Sequence, residues 1–219
     1  MEGIQSVLFD FDGLIANTEP LHFETFLAVL AENGVQLRPG TNQSHFIGIH
    51  DRGSFRKAFE QAGRELDEEK VEELVDRKSE LYLEGASKIE LFDGVRELLD
   101  SLPDGLPYTI ASGGRRLDIL AVLEGNGLAK RFPSFVCGDD VEKSKPDPEC
   151  FRKGLELLQA RGASHLEPAT CLTFEDSFRG VEAAKKAGMK CVAVTHSYPA
   201  EKLTEADQVL DSLLDWTWG

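Results

Sequence analysis

Residues 7–19 read VLFDFDGLIANTE, an apolar run that stops abruptly at two aspartates, Asp10 and Asp12, one residue apart. The run through Ile4, Val7, Leu8 and Phe9 is short, with β-branched and aromatic residues at its heart, and predicts a strand buried on both faces of a parallel sheet. Such a strand delivers its last residues to the carboxyl edge of the sheet, the ligand crevice of open α/β folds. Side chains at i and i+2 on extended backbone point to one side, so Asp10 and Asp12 crowd two like charges at the end of an apolar strand. A bound cation or a proton-transfer role would stabilise the pair. Taken alone, DxD is equally a turn that caps the next element. Gly13 lets the chain bend sharply there.

Beyond Glu19 the pattern turns helical. Pro20 suits a first turn, and Leu21, Phe23, Phe26, Leu27 and Leu30 supply an apolar face before Asn33-Gly34 ends the helix. A second helix is predicted from Asp51 to Gly63 on Phe55, Ala58, Phe59 and Ala62. A third runs from Asp67 as N-cap through Val71, Leu74, Val75 and Leu81 to Gly85. From Phe92 onward, helices carrying Val95, Leu98 and Leu99, or Leu117, Leu120 and Leu123, alternate with short apolar runs. Those runs are Tyr108 to Ala111, Phe135 to Cys137, Cys171 to Phe174 and Cys191 to Val194, with Val209-Leu210 as a final edge strand. Strand alternating with helix gives right-handed crossovers. The expected architecture is therefore α/β: a doubly wound, Rossmann-like parallel sheet formed by residues 1–16 and 91–219, with an inserted all-helical domain over 17–90. Trp216 and Trp218 are expected to dock on the core.

Composition narrows the partners. The chain has 219 residues, 41% of them hydrophobic, and a formal net charge of -15. That field argues against nucleic acid and anionic membranes, and any anionic substrate must be captured by local cations. No stretch approaches the ~20 apolar residues of a membrane span, and the chain enters a strand at once without a signal peptide, so a cytoplasmic location is expected. Cys137, Cys150, Cys171 and Cys191 lack CxxC spacing and are read as reduced, buried small hydrophobes. A monomer is the default.

In a parallel sheet every strand ends at one crevice, so the polar residues after each apolar run belong together. The first run ends in Asp10 and Asp12. YTIA ends in Ser112-Gly113-Gly114, which is either an N-cap and turn or a hydroxyl with bare backbone that can approach an anion. The third run leads to Gly138-Asp139-Asp140 and then KSKPDP, where Lys145 is either a solvated charge or a fixed cation for a phosphoryl group. CLTF ends in Glu175-Asp176-Ser177, by itself an N-cap cluster. Four strand ends carrying acid pair, hydroxyl, lysine and acid pair would require four coincidences if none were functional. Oxygen ligands from Asp10 and Asp176, completed by water and substrate, describe a Mg²⁺ site better than a zinc site. No set of His and Cys with metal spacing competes with it: His45 and His50 are too isolated, and His165 and His196 are read as lacking partners.

The four motifs DFDGLIANTE, ASGG, KSKPDP and FEDSFRGVEAAKKAGM occur in this order over nearly the whole chain. Together they resemble the haloacid dehalogenase-like (HAD) superfamily, in its branch of capped phosphatases and β-phosphoglucomutase-like enzymes. The resemblance implies that Asp10 is the nucleophile, forming an aspartyl-phosphate, and that Asp12 protonates the leaving oxygen and then activates water. It implies that Ser112 and Lys145 bind the phosphoryl oxygens, beside Phe11 and Gly113. It also implies Mg²⁺ at the carboxylates of Asp10 and Asp176 and the backbone carbonyl of Asp12, with Glu175 reaching it directly or through water. The inserted helices would form a cap that closes by hinging near Ala16–Thr18 and Lys88–Phe92. His22, His50, Arg52 and Lys78 are its candidate substrate contacts, although a helical lysine such as Lys78 is also readily a solvated charge.

The function expected is Mg²⁺-dependent hydrolysis of a small phosphorylated metabolite, of sugar phosphate or phosphoglycolate type. A β-phosphoglucomutase-like mutase is the rival. In that enzyme an arginine follows a Gly-x-x sequence, whereas GIHDRGSF puts Asp51 in that place and Arg52 one residue later. A non-catalytic binding protein would be expected to lose Asp10, Asp12, Lys145 or Asp176, and all four are present. Phosphonate cleavage through a Schiff base would call on Lys57 or Lys78, without further support.

Overall fold

The computed structural model describes residues 3–38, 40–41 and 51–218. The chain divides into two compact units, one formed by Met1–Asn17 with Glu90–Gly219 and the other by Thr18–Ile89.

The first unit is built on five parallel strands: β1 (Ser6–Phe9), β2 (Tyr108–Ile110), β3 (Cys171–Glu175), β4 (Lys190–Val194) and β5 (Gln208–Leu210). Their order is β2-β1-β3-β4-β5. Every residue of SVLF in β1 is buried, because the strand has neighbours on both sides and layers on both faces. In register, Leu8 faces Thr109 of β2 and Thr173 of β3, and Phe9 faces Ile110 and Phe174. The chain leaves β1 toward β2, then returns past it to β3, so the reversal of winding falls at the carboxyl ends of β1 and β3.

Helices α4 (Val95–Asp100), α5 (Arg116–Gly125), α6 (Glu149–Ala160) and α7 (Phe178–Lys186) complete the unit. On one face Leu8 and Ala111 join Cys150, Phe151, Leu155 and Leu158 of α6 in the core. A Cβ on Gly154 would lie 2.5 Å from Leu8 Cδ2, so the missing side chain is what lets α6 lie directly on β1. On the other face Phe9 stacks on Phe174 with centroids 5.5 Å apart and meets Phe132 edge-on at 6.3 Å. Trp216 sets its edge on Phe174 at 5.2 Å, and Trp218 follows it at 5.3 Å, so both tryptophans dock as expected. All four cysteines are free and buried.

Two expectations need correction. Phe135–Cys137 forms no strand but a single parallel bridge, Ala111 to Val136. Val136 exchanges bonds with Ile110 and Ser112, at 3.0 and 3.1 Å, and then the Cys137 amide is taken by Asp140 Oδ2 at 2.9 Å, which turns the chain away. In α5 the buried face is Asp118, Ile119, Val122 and Leu123, and Leu117 is 57% exposed. Leu117 and Ile119 each start an apolar i, i+3, i+4 set, and packing buries the one that starts at Ile119.

The second unit contains α1 (Glu19–Glu32), α2 (Asp51–Gln61) and α3 (Glu68–Ala86). Its core joins Phe26, Val29 and Leu30 of α1 to Phe55, Ala58 and Phe59 of α2 and to Val71, Leu74 and Val75 of α3. Asp67 caps α3 by accepting from the Lys70 amide at 2.8 Å. Among the described residues, no helix is long and apolar enough to cross a membrane.

Candidate active site

The register of β1 and β3 sets the first contact of the site. The Asp10 amide donates to the Phe174 carbonyl at 3.0 Å, which continues the ladder one residue past β1 and brings Asp10 beside Glu175. Lys145 ties the two together: its Nζ donates to Asp10 Oδ1 at 2.6 Å and to Glu175 Oε1 at 2.7 Å. The ammonium also lies 4.5 Å from the centroid of the Phe151 ring, which shields it from water. Lys145 is thus no solvated charge; its side chain is 12% exposed. Burial opposes its charge, but Asp10 and Glu175 outweigh burial and hold its pKa well above the usual lysine range.

Glu175 is wholly buried. Its Oε2 accepts from the Asp176 amide, the Ser177 amide and the Ser177 hydroxyl, each at 3.0 Å. Ser177 is also the N-cap of α7, accepting from the Gly180 amide at 3.1 Å. The capping and acidic readings of Glu-Asp-Ser are therefore both realised, by different residues. A Cβ on Gly180 would sit 1.7 Å from Glu175 Oε1, so the first turn of α7 must be bare where the carboxylate lies.

Asp12 belongs to a second group. Ser112 donates its hydroxyl to Asp12 Oδ2 at 3.3 Å and accepts from the Gly114 amide at 3.0 Å. Gly114 is the constrained glycine of ASGG, because a Cβ there would meet Asp12 Oδ2 at 2.7 Å; at Gly113 a Cβ would meet nothing within 4 Å. Phe11 is buried, and its carbonyl accepts from the amides of Leu14, Ile15 and Ala16. That turn needs Gly13 at φ +82°, where a Cβ would fall 2.0 Å from Asp176 Oδ2.

Among the described residues, Asp10, Glu175 and Asp176 each offer a carboxylate oxygen within 4.8 Å of the others. Burial, then repulsion from Glu175 and Asp12, pushes the Asp10 carboxyl up to about 7 despite Lys145. Burial, then Glu175 and Asp10, raises Asp176 well above the carboxylate range. Lys145 alone does not balance these acids. A hard divalent cation that prefers oxygen ligands fits both the donor set and the uncompensated charge.

In the helical unit, Lys78 is buried, contrary to the solvated reading. Its Nζ lies 2.8 Å from Asp51 Oδ1 and 3.0 Å from His22 Nδ1, and the His22 ring stacks on Tyr82 at 4.3 Å. Asp51 compensates the ammonium, which is what makes its burial tolerable. Arg52 is exposed and pairs with Glu72 at 2.8 Å. His50 lies outside the described residues.

Sequence reasoning missed the residues that follow β4. His196 has partners: its Nδ1 is 3.0 Å from the Gly13 carbonyl oxygen and its ring stacks on Phe92. Ser197 donates to Asp176 Oδ2. Reading polar residues at every strand end, carried on past CVAV to Thr195-His196-Ser197, is the signal that reaches them.

A family model described as haloacid dehalogenase-like hydrolase matches residues 7–194. The Bacillus subtilis protein YhcW is 34% identical over 215 residues, 97% of this chain and 93% of that protein. The phosphorylated carbohydrates phosphatase of Thermotoga maritima is 31% identical over 207 residues, 89% of this chain and 87% of that protein. The crystal structure of CbbY from Rhodobacter sphaeroides in complex with phosphate shares the fold, with TM-score 0.83 at 23% identity over 97% of this chain and 96% of that one.

Proposed function

This chain belongs to the haloacid dehalogenase-like hydrolases and is a phosphatase of that family, and on that premise we propose that it hydrolyses a small phosphorylated metabolite, of sugar phosphate or phosphoglycolate type, through an aspartyl-phosphate on Asp10. The observation that carries this reading is the buried set of Asp10, Glu175 and Asp176 at the ends of β1 and β3, bridged by Lys145, with Asp12 and Ser112 hydrogen-bonded beside it.

Asp10 attacks phosphorus with a carboxylate oxygen while the bond from phosphorus to the leaving oxygen breaks, and Asp12 gives that oxygen its proton. Water, losing a proton to Asp12, then attacks the aspartyl-phosphate and releases inorganic phosphate and the Asp10 carboxylate. Two carboxylates beside an anionic ester repel it, so Lys145 has to offset that charge, and Ser112 with the Gly113 amide holds the phosphoryl oxygens, the Gly114 amide being taken by the Ser112 hydroxyl. Asp10 and Asp176, with the Asp12 carbonyl and with Glu175 directly or through water, would hold Mg²⁺, which when bound supplies further positive charge for a phosphoryl group. Glu175 keeps Lys145 in place, since its second oxygen is already taken by three donors. We assign contacts with the rest of the substrate to the helical unit acting as a cap, through His22, Arg52 and Lys78. The sequence GIHDRGSF, with Asp51 where the mutase has its arginine and Arg52 one residue later, favours hydrolysis over the mutase.

The test is phosphate release from a panel of phosphorylated metabolites with Mg²⁺, for wild type, Asp10→Asn and Asp12→Asn. Release from one or a few compounds, lost in both variants, is the expected result. Glucose 6-phosphate formed from β-glucose 1-phosphate with little free phosphate would refute the hydrolase reading.

A further inference from the structure

The loop after β4 reaches the acidic cluster, and the chemistry proposed above makes no use of it. Ser197 donates its hydroxyl to Asp176 Oδ2. His196, one residue earlier, places Nδ1 3.0 Å from the Gly13 carbonyl oxygen and lays its ring on Phe92, with centroids 4.0 Å and planes 16° apart. A Cβ on Gly13 would fall 2.0 Å from Asp176 Oδ2 and 2.8 Å from Ser197 Oγ. Three segments remote in sequence thus converge on one carboxylate oxygen: the Gly13 turn, the end of β3 and the loop after β4.

A buried carboxylate that binds a cation gains affinity when its rotation is fixed before the ion arrives, because the ordering cost is already met. A hydroxyl donor on one oxygen does this and leaves the second for ligation. His196, held between Phe92 and the Gly13 carbonyl, in turn keeps the loop in place. We propose that Ser197 is a positioning residue for Asp176, seated by His196, and that it sets the affinity of the acidic cluster for a divalent cation. This rests on the reading of Asp10, Glu175 and Asp176 as a cation site.

A hydrogen bond that only braced the loop would affect unfolding but not cation affinity, so the two are separable. The experiment titrates Mg²⁺ alone into wild type, Ser197→Ala and Ser197→Thr by calorimetry, with unfolding midpoints recorded in EDTA. Ser197→Ala is expected to bind Mg²⁺ about tenfold more weakly, the order of loss when an outer partner of a metal ligand is removed, and Ser197→Thr, which keeps the donor, to stay within roughly threefold of wild type. Ser197→Ala binding as tightly as wild type, or Ser197→Thr binding as weakly as Ser197→Ala, would overturn the proposal. Wild type that binds no Mg²⁺ would overturn it together with the cation-site reading beneath it.

Discussion

Replacing Gly180 by alanine sets two opposing effects of known size against each other. Gly180 lies in the first turn of α7 with ordinary helical backbone, so helix propensity alone favours alanine by about 1 kcal/mol. Against this, the new Cβ would lie 1.7 Å from Glu175 Oε1, 1.9 Å from Cδ and 2.3 Å from Oε2. The atoms displaced are not the free end of a mobile side chain, because Glu175 is 0% exposed and bonded to Lys145, Ser177 and the Asp176 amide. Overpacking of this kind costs about 1–3 kcal/mol. Pulling one partner from a buried ion pair costs about 3–5 kcal/mol. Both describe one displacement and are not summed, so the net loss is about 2–4 kcal/mol after the propensity gain. For a chain of this size the thermal midpoint falls by roughly 5–15 °C. Activity should fall at least about a hundredfold, because Lys145 loses its seat. The assay is thermal unfolding by circular dichroism in EDTA. Gly113→Ala serves as control: it meets nothing within 4 Å and should stay within about 0.5 kcal/mol of wild type. A Gly180→Ala protein melting within about 2 °C of wild type would refute the close approach of α7 to Glu175.

The raised carboxyl of Asp10 predicts that cation binding at the proposed site depends on pH. Its folded pKa of about 7 lies above the ordinary value of 3.8, so the metal-free fold loses stability as pH rises from the ordinary value through the folded one, while a proton competes with the cation wherever the pH is below the folded value. The rise in unfolding midpoint on adding Mg²⁺ should therefore be larger near about pH 8 than near about pH 5.5, and equal rises would count against the charge argument. In the helical unit, Lys78→Met strips Asp51 of its buried partner and should cost about 1–3 kcal/mol in urea unfolding, less than a fully buried pair because Asp51 is partly exposed. Much of that loss should return in Lys78→Met/Asp51→Asn; a neutral single variant would show that Asp51 does not secure the lysine. Arg52→Ala, at an exposed pair, should change stability by no more than about 0.5 kcal/mol in the same measurement.

Local chemistry made much of this molecule legible. Strand β1 follows from a run of apolar residues too short for a helix and too uniform for a half-exposed strand. The helix limits follow from Asp67, Asn33 and Gly34, which satisfy or terminate backbone hydrogen bonds by their own local chemistry. Where two short-range patterns competed, the sequence was ambiguous. Phe135–Cys137 has strand-like residues, yet the Asp140 carboxylate claims the amide that a longer ladder would need. Leu117 is as apolar as Ile119, and only packing decides which of them faces the core.

Asp10, Asp12, Ser112, Lys145, Glu175 and Asp176 could be named as candidates because every parallel strand ends on the same edge, so position along the chain implies position in the crevice. Which of them touch was a different matter. The pairing of Lys145 with both Asp10 and Glu175, the separate grouping of Asp12 with Ser112, the burial of Lys78 against Asp51 and the arrival of Ser197 at Asp176 all join residues far apart in the chain. The sequence by itself determined the strands, the helices and the chemical types brought to the sheet edge, since these depend on periodicity and on neighbours within a few residues. Tertiary structure alone decided the partners and the charge balance, because a buried carboxylate responds to whatever lies within a few ångströms in space, and the chain records no such distance.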